Sequence, residues 1–210
     1  MRLRNIFLLP AGLLLTVVGA RSAQESGAPA QSTSSSKQAH AALLLNFDPM
    51  HTIIHWTLPA TLHTVHGTFR LKRGSLRLDP ATGKASGEIV VDAASGESGN
   101  NDRDSKMHRE VLESSKYSDI IFHPDRFSGT IPASGEVKAE LHGIFSLHGA
   151  DHEMTIPVAA ELSGSHWSGN STFTVPYVKW GLRNPSNFFL KVKPEVQIQF
   201  EAVGSLEPGS

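Results

Sequence analysis

The chain has 210 residues, a formal net charge of −1, 39% hydrophobic and 19% charged residues, a composition typical of globular proteins. A nearly neutral chain lacks the concentrated positive charge on which binding to nucleic acid depends. Because the sequence contains no cysteine, disulfides, thiolate metal sites and a cysteine nucleophile are excluded.

The first 20 residues have the pattern of a secretory signal peptide. Arg2 and Arg4 precede an apolar run at residues 6–18, and Val18-Gly19-Ala20 supplies small residues where a signal peptidase would cut. The run is shorter than the ~20 residues that a membrane-spanning helix needs. We therefore expect cleavage, rather than an uncleaved anchor, and a periplasmic or secreted protein that keeps no membrane span.

Residues 21–42 differ from the sequence that follows them. They are rich in Ser, Ala and Gln and have no apolar period, so they bury too little surface to offset the cost of ordering. This composition predicts a flexible linker. Residues 43–206 then form one folded domain, which is long enough for a hydrophobic core of its own.

Apolar and polar residues alternate along most of this domain, which indicates strands with one buried face. The alternation breaks at Arg73-Gly74, where we predict a bulge. The short connection at residues 148–151 predicts a hairpin between its two flanking strands. In chain order, the predicted strands are residues 52–58, 69–79, 85–92, 119–127, 137–147, 154–162, 168–175, 188–192 and 196–202.

Residues 101–113 depart from this pattern and predict one short amphipathic helix. Met107, Val111 and Leu112 fall at helical spacing, and Asp102 and Asp104 lie near the start, where the helix dipole favours anions. Roughly eight short antiparallel strands with one helix indicate an all-β sandwich or barrel. Periodicity alone does not separate these two architectures.

Several segments also carry a family pattern in the right order. They are residues 47–54 (FDPMHTII), 64–69 (TVHGTF), 92–107, 116–122, 141–149 (LHGIFSLHG) and 175–186 (VPYVKWGLRNPS). Together they resemble the YceI-like, polyisoprenoid-binding family over nearly the whole domain. The resemblance implies a lipocalin-like antiparallel β-barrel whose lumen holds an isoprenoid chain.

The inward faces of such a barrel supply the candidate ligand-binding residues. A prenyl tail needs only a dry, elongated apolar cavity, since each buried methylene contributes about 0.8 kcal/mol. For each residue the alternative is plain core packing. The candidates are Phe69, Leu71, Ile89, Val91, Ile120, Phe122, Leu141, Phe145, Leu147, Met154, Ile156, Val158, Phe173, Val175, Phe188, Leu190, Val196, Ile198 and Phe200.

Three further residues have a structural role or a head-group role in this interpretation. Arg103 and Asp104 form a pair that either pins the helix over the barrel mouth through a bidentate contact or binds the polar head of a ligand. Trp180 packs over one end of the barrel. Gly181, beside it, allows a costly backbone angle at a predicted bulge.

Eleven histidines leave a second hypothesis open. His51 with His55, and His142 with His148, are even offsets that share a strand face and would suit zinc or copper. The chain has no glycine–x–serine–x–glycine nucleophile motif. We expect no enzymatic activity, no cofactor and no bound metal.

The predicted function is that of an exported carrier. It holds a polyisoprenoid, or a similar apolar lipid such as an isoprenoid quinone, for transport, storage or stress protection. The alternatives are a small exported metal-binding protein or hydrolase that uses surface histidines, and an interaction module whose barrel is only a scaffold. Formation of a homodimer is left open.

Overall fold

The computed structural model describes residues 42–61 and 63–209. The predicted signal peptide at 1–20 and residues 21–41 of the predicted linker lie outside the described residues. Those described form one α-helix, α1 (Asn101–Lys106), continued by a π-helical turn (Met107–Val111), and nine strands. The strands are β1 (Leu43–Phe47), β2 (Ile53–Pro59), β3 (Thr64–Asp79), β4 (Lys84–Glu97), β5 (Asp119–Thr130), β6 (Gly135–Leu147), β7 (Ala150–Ser163), β8 (His166–Val175) and β9 (Val196–Pro208).

The strands form one closed antiparallel barrel. Their order is β1-β3-β2-β9-β8-β7-β6-β5-β4, and pairing of β3 with β4 closes the sheet. Both β1 and β2 lie between β3 and β9, end to end, so nine strands occupy eight positions around the barrel. The prediction of an eight-stranded antiparallel barrel with one short helix is confirmed, and the sandwich alternative is wrong.

The two ends of the barrel carry different connections. We call one the helix end: it contains residues 98–118, the turn at residues 148–149 and the segment 176–195. We call the other the turn end: it contains the short connections at residues 80–83, 131–134 and 164–165. Because neighbouring strands are antiparallel, successive connections alternate between these two ends.

Strand periodicity and turn chemistry explain the hairpin between β6 and β7. Val137, Leu141 and Phe145 are buried, whereas Lys138 and Glu140 between them are exposed. The strands are joined by His148 (φ 53°) and Gly149 (φ 77°), with Leu147 opposite Ala150. Two positive φ angles are the geometry of a type I′ turn, whose twist matches that of the strands. The predicted hairpin is confirmed.

The predicted bulge in β3 is also present. The pairing of β3 with β4 shifts register between Leu71 and Arg73. On the inner side of β3, a Cβ atom on Gly74 would lie 2.8 Å from the ring of Phe47. Glycine at this position therefore allows β1 to pack closely beside the bulge.

The predicted strand at residues 188–192 is wrong. This stretch is a loop whose sheet pairing is a single bridge between Val192 and Ala60. The Asn187 side chain accepts hydrogen bonds from the backbone N–H groups of Phe189 (2.9 Å) and Leu190 (2.8 Å). These donors are therefore used locally and cannot join a strand ladder. Conversely, β1 was missed, because the run LLLNF shows no alternation of polar and apolar residues.

Candidate ligand-binding cavity

An apolar cavity of about 600 Å³ occupies the barrel lumen. Its wall includes Leu43 and Leu162 near the turn end and Met107 and Leu190 at the helix end. The volume lies within the range of about 300–1,000 Å³ that is usual for small-molecule sites. The lumen is therefore a continuous space and is not filled by the side chains of the barrel itself.

Most of the predicted lumen residues form the wall of this cavity. Of the nineteen candidates, sixteen line it, because the inward face of each strand is the apolar face that the alternation marks. Their contact with a ligand remains a prediction. The sixteen are Phe69, Ile89, Val91, Ile120, Phe122, Leu141, Phe145, Leu147, Ile156, Val158, Phe173, Val175, Leu190, Val196, Ile198 and Phe200.

Three candidates lie away from the cavity wall. Leu71 is buried beside the bulge and packs in a cluster with Ile54 and Phe69. Met154 is half-buried and packs against the main core. Phe188 is 88% exposed at the tip of the loop that replaces the predicted strand. Leu71 and Met154 keep the inward alternation of their strands but pack in the core instead of lining the cavity, whereas Phe188 lies in a loop outside the strands.

The sequence interpretation missed several wall residues. Leu45 and Phe47 belong to the unpredicted β1, whereas Ile54 and Trp56 lie in a predicted strand whose alternation already marked their face. Trp167 precedes the predicted start of β8 by one residue and shares its inward face with Phe173. The alternation of inward and outward positions along each strand would have identified Ile54, Trp56 and Trp167.

Gly67 is required for the position of Trp56. A Cβ atom on Gly67 would lie 2.3 Å from the indole ring of Trp56 and 2.1 Å from the carbonyl oxygen of Glu97. The bare glycine therefore leaves space for a large aromatic side chain to lie flat against β3. This packing is a physical reason for glycine in the motif at residues 64–69.

The helix covers one side of the cavity at the helix end. Asn100 caps it by accepting a hydrogen bond from the backbone N–H of Arg103 (3.0 Å). The helix predicted at residues 101–113 is present and ends at Val111, with a π-helical second half in which the N–H of Leu112 donates to Met107 O (2.9 Å). This wider turn brings Met107, Val111 and Leu112 to the cavity wall.

Ser98 joins Arg103 to Asp104. The Arg103 guanidinium donates through Nε to Ser98 Oγ (2.7 Å) and through Nη2 to Ser98 O (2.9 Å). The Asp104 carboxylate accepts from Ser98 N (3.1 Å) and from the Ser98 hydroxyl. The predicted direct contact of Arg103 with Asp104 is replaced by this arrangement, which fastens α1 to the end of β4. Arg103 also lines the cavity, and Asp104 does not.

Most of the charged and polar wall residues lie at the helix end. They are His63, Asp102, Arg103, Lys106 and Asn187, which contrast with the aliphatic and aromatic side chains of the rest of the wall. An elongated apolar cavity with a charged rim at one end suits an amphipathic molecule whose polar group remains near water.

The segment at residues 176–182 closes against the barrel through Trp180. Its indole stacks on the His152 ring (centroids 4.1 Å apart, planes at 2°) and lies 5.6 Å from the Phe145 ring. Leu182 N donates to Tyr177 O, and Gly181, with φ +94°, donates to Val178 O. These bonds form a Schellman turn, so the predicted bulge is wrong while the special backbone angle of Gly181 is present. Trp180 packs outside the cavity wall.

Tyr177 connects this turn to the next part of the chain. Its side chain is buried, lines the cavity, and donates a hydrogen bond to Lys193 O (2.8 Å). Burial raises the pKa of Tyr177 to about 12, since the phenolate would lose its hydration. The hydroxyl is therefore neutral at physiological pH and remains available as a donor.

The histidines do not converge in the described part of the chain. His142 Nδ1 lies 2.8 Å from Asp125 and its Nε2 lies 3.0 Å from Glu153, so the carboxylates meet opposite edges of the ring. The hydrogen bond from His142 lowers the pKa of Asp125. Across residues 42–61 and 63–209, no three His, Asp or Glu side chains are arranged to hold a metal ion. The metal-binding or hydrolytic alternative gains no support from these residues.

No helix in the described ranges is long and apolar enough to cross a membrane.

Comparison with known proteins gives a family and several solved structures of the same fold. A family model described as the YceI-like domain matches residues 45–204. No curated protein sequence matches the chain.

Solved structures with the same fold are distant in sequence. The crystal structure of Burkholderia cenocepacia BcnA is 18% identical, with a TM-score of 0.62, over 75% of this chain and 99% of that one. A polyisoprenoid binding domain from Saccharophagus degradans, implicated in plant cell wall breakdown, is 13% identical, with a TM-score of 0.57, over 79% and 98%. A Campylobacter jejuni YceI protein is 15% identical, with a TM-score of 0.54, over 69% and 86%.

Proposed function

This chain belongs to the family of YceI-like domains, and from that premise we propose that it is an exported carrier of a polyisoprenoid or similar long apolar lipid. The observation that carries the proposal is the apolar cavity of about 600 Å³ along the barrel lumen. A further support is the similarity of fold to a polyisoprenoid binding domain from Saccharophagus degradans. The proposed role is binding without catalysis, cofactor or metal.

The wall of the cavity explains how such a ligand would be held. Each methylene-sized group that leaves water contributes about 0.8 kcal/mol before the costs of ordering are subtracted. A flexible hydrocarbon tail therefore gains affinity from length alone, and it needs no directed polar contact along the lumen. This property suits a carrier that receives and releases its ligand without chemical change.

The rim at the helix end would orient the ligand. Arg103 and Lys106 lie at this rim, so the polar end of the lipid is placed there and the tail points toward the turn end. The contacts of Arg103 with Ser98 hold its guanidinium in a defined position. In this proposal, Arg103 contacts the head group and Asp104 acts through Ser98.

Export is part of the proposal and rests on the pattern of residues 1–20. In a periplasmic or extracellular compartment, a long prenyl lipid or an isoprenoid quinone has very low solubility in water. A closed barrel shields the tail from water during transport or storage. Holding an isoprenoid quinone apart from membranes and from other lipids would limit its side reactions, which is how stress protection would arise.

The proposal is tested by extraction of protein purified from cells that express the full chain. We expect mass spectrometry of the organic extract to show a prenyl lipid, and delipidated protein to take up the long prenol solanesol from detergent. The substitution Ala139→Trp places a large ring in the lumen, whereas Glu140→Trp places the same ring on the outer face of β6. Uptake should be lost in the first variant and kept in the second.

The outcome that contradicts the proposal is a folded wild-type protein that carries no apolar lipid and takes up no solanesol. Equal uptake by the two tryptophan variants would show that binding occurs outside the lumen. Because Ala139→Trp also risks a folding defect, Ala160→Phe, on the neighbouring wall position of β7, provides a smaller obstruction. It should reduce uptake of long prenols more than that of short ones.

A further inference from the structure

Two adjacent aromatic side chains project into water beside the cavity rim. Phe188 is 88% exposed and Phe189 is 84% exposed, and their rings meet edge to face with centroids 5.2 Å apart. Within the described residues, the other large hydrophobic side chains with high exposure are Met50, on the connection from β1 to β2, and Ile53, the first residue of β2. The pair thus forms a separate apolar tip at the helix end.

The backbone holds this tip in place. Asn187 accepts from the N–H groups of both Phe189 and Leu190, and the Ser186 hydroxyl accepts from Val192 N (2.8 Å). The chain that follows the two rings is bonded to the β2–β3 connection through Thr61 N to Lys191 O, and to the end of β2 through Lys193 N to Pro59 O, both 2.9 Å. The two phenylalanines are therefore presented by a fastened loop.

The same loop borders the cavity. Pro185, Asn187, Leu190 and Val192 line the lumen, on both sides of the exposed tip. A surface that receives the two rings would therefore lie against the rim, and an apolar molecule could pass between that surface and the lumen with little exposure to water.

The segment that carries the tip has a charge of one dominant sign. Segment 176–195 contains four exposed cations and a single acidic residue, Glu195, although the whole chain is nearly neutral. Arg183 is paired with Glu110 at 3.1 Å. The cations are Lys179, Arg183, Lys191 and Lys193.

From these observations we infer that the loop at residues 185–192, which we call the phenylalanine loop, docks on an anionic phospholipid bilayer. Aromatic side chains partition into the membrane interface, and basic residues close to the surface are attracted to anionic lipid. Docking brings the helix-end rim against the bilayer. The cargo that would then pass rests on the proposed function, whereas docking itself does not.

The test is flotation of the full protein with vesicles of phosphatidylglycerol and phosphatidylcholine in equal parts, and with vesicles of phosphatidylcholine alone. We expect binding to the anionic vesicles that weakens as salt is raised. The double variant Phe188→Ser with Phe189→Ser should bind about a hundredfold more weakly, about tenfold for each ring. Lys191→Gln with Lys193→Gln should reduce binding several-fold and flatten its salt dependence.

The matched control is Met50→Ser, which removes an equally exposed apolar side chain far along the chain from the loop (86% exposed). It should leave vesicle binding unchanged. Unchanged binding of the double phenylalanine variant would overturn the inference. So would a wild-type dimer that the double variant breaks without any vesicle binding, since the tip would then serve a second copy of the chain.

Uptake of solanesol from detergent separates this inference from the proposed function. A protein that takes up solanesol but never floats with vesicles would refute docking and leave the carrier role intact. A protein that floats with vesicles but takes up no solanesol would refute the carrier role and leave docking intact. The double phenylalanine variant should retain uptake from detergent, because neither ring lines the lumen.

Discussion

At the turn end the strands are joined by connections of two to four residues, whereas at the helix end residues 98–118 and 176–195 extend across the barrel. The turn at residues 80–83 follows Asp79, whose side chain accepts from Ala81 N (2.9 Å) and the Thr82 hydroxyl (2.7 Å). Gly83 and Gly164 adopt positive φ angles there. Each of the hydrogen bonds of Asp79 joins residues within three positions of one another.

The helix end depends on contacts between residues that are distant in the chain. Tyr177 reaches Lys193, Trp180 stacks on His152, and Val192 bridges to Ala60. This end also carries the charged rim and the phenylalanine loop. The difference teaches that the turn end joins neighbouring strands through short connections, whereas the helix end is assembled largely from contacts between distant segments and is where we expect ligand to enter.

The largest expected effect is the loss of stability when one buried phenylalanine is removed from either end. Phe145→Ala and Phe127→Ala should each lower the free energy of unfolding by about 3–5 kcal/mol, because both side chains are buried. Phe145 contacts Trp180 and Phe173 (6.3 Å), whereas Phe127 lies beside the turn that contains Gly83. Urea unfolding would measure the loss.

The same two variants should differ in a local signal. The NMR resonance of the Trp180 indole should shift in Phe145→Ala, because the ring against which it packs is removed. It should stay in place in Phe127→Ala. Equal shifts in both variants would mean that the two ends are mechanically coupled and do not behave as separate regions.

An intermediate effect is expected for Ser98→Ala. The hydroxyl bonds both Arg103 and Asp104, so its removal takes one hydrogen bond from each of these part-buried charged groups and leaves only their bonds to the backbone of residue 98. The expected cost is about 1–3 kcal/mol. Hydrogen exchange should accelerate in residues 101–113 and not in β6. The control Ser105→Ala, at an exposed site on α1, should leave the free energy of unfolding unchanged. Unchanged hydrogen-exchange protection of the helix in Ser98→Ala would contradict the proposal that Ser98 fastens α1 to β4.

A smaller effect is expected for Tyr177→Phe, at about 1 kcal/mol near neutral pH, because one hydrogen bond to Lys193 O is lost. The raised pKa of Tyr177 adds a pH dependence. The neutral phenol stabilises the fold fully below pH 10 and loses this contribution between pH 10 and about 12, as the folded state resists ionisation. The wild type should therefore lose more stability than Tyr177→Phe across that window. Parallel alkaline curves for the two proteins would contradict this.

Much of the barrel could be predicted from the sequence because it depends on local periodicity. The alternation of Leu141, Phe145 and Leu147 with polar residues marks an inward face, and the spacing of Met107, Val111 and Leu112 marks a helix. Such patterns persist wherever one face of an element meets the core. This is why most candidate lumen residues do line the cavity.

The remainder could not be predicted because it depends on which segments meet in space. Ser98 has no sequence feature that assigns it to Arg103 and Asp104. Phe188 lies in an apolar run that resembles a strand, and the capture of N–H groups by the Asn187 side chain becomes visible only in the folded chain. These exceptions cluster at the helix end, so the end at which we propose that ligand enters is the part of the molecule least determined by local pattern.

The smallest expected effect is the loss of local stability at the turn end as the pH is lowered. Hydrogen bonds from the Thr82 hydroxyl and Ala81 N lower the pKa of Asp79 below its ordinary 3.8. The Asp79 carboxylate therefore stabilises the folded turn above pH 3.8, and this contribution disappears as pH falls through the lower folded-state pKa.

Because Asp79 is exposed to solvent, the effect is best resolved locally, through hydrogen exchange at Thr82 and Gly83. Asp79→Asn should abolish the acid dependence of these amides. Asp125→Asn removes another carboxylate whose pKa is lowered, on the barrel wall, and should leave it unchanged. If acid instead released the Tyr177 and Trp180 contacts first, the two ends would not differ in the way their bonding implies, because neither the hydrogen bond of Tyr177 to Lys193 O nor the stacking of Trp180 on His152 involves a carboxylate.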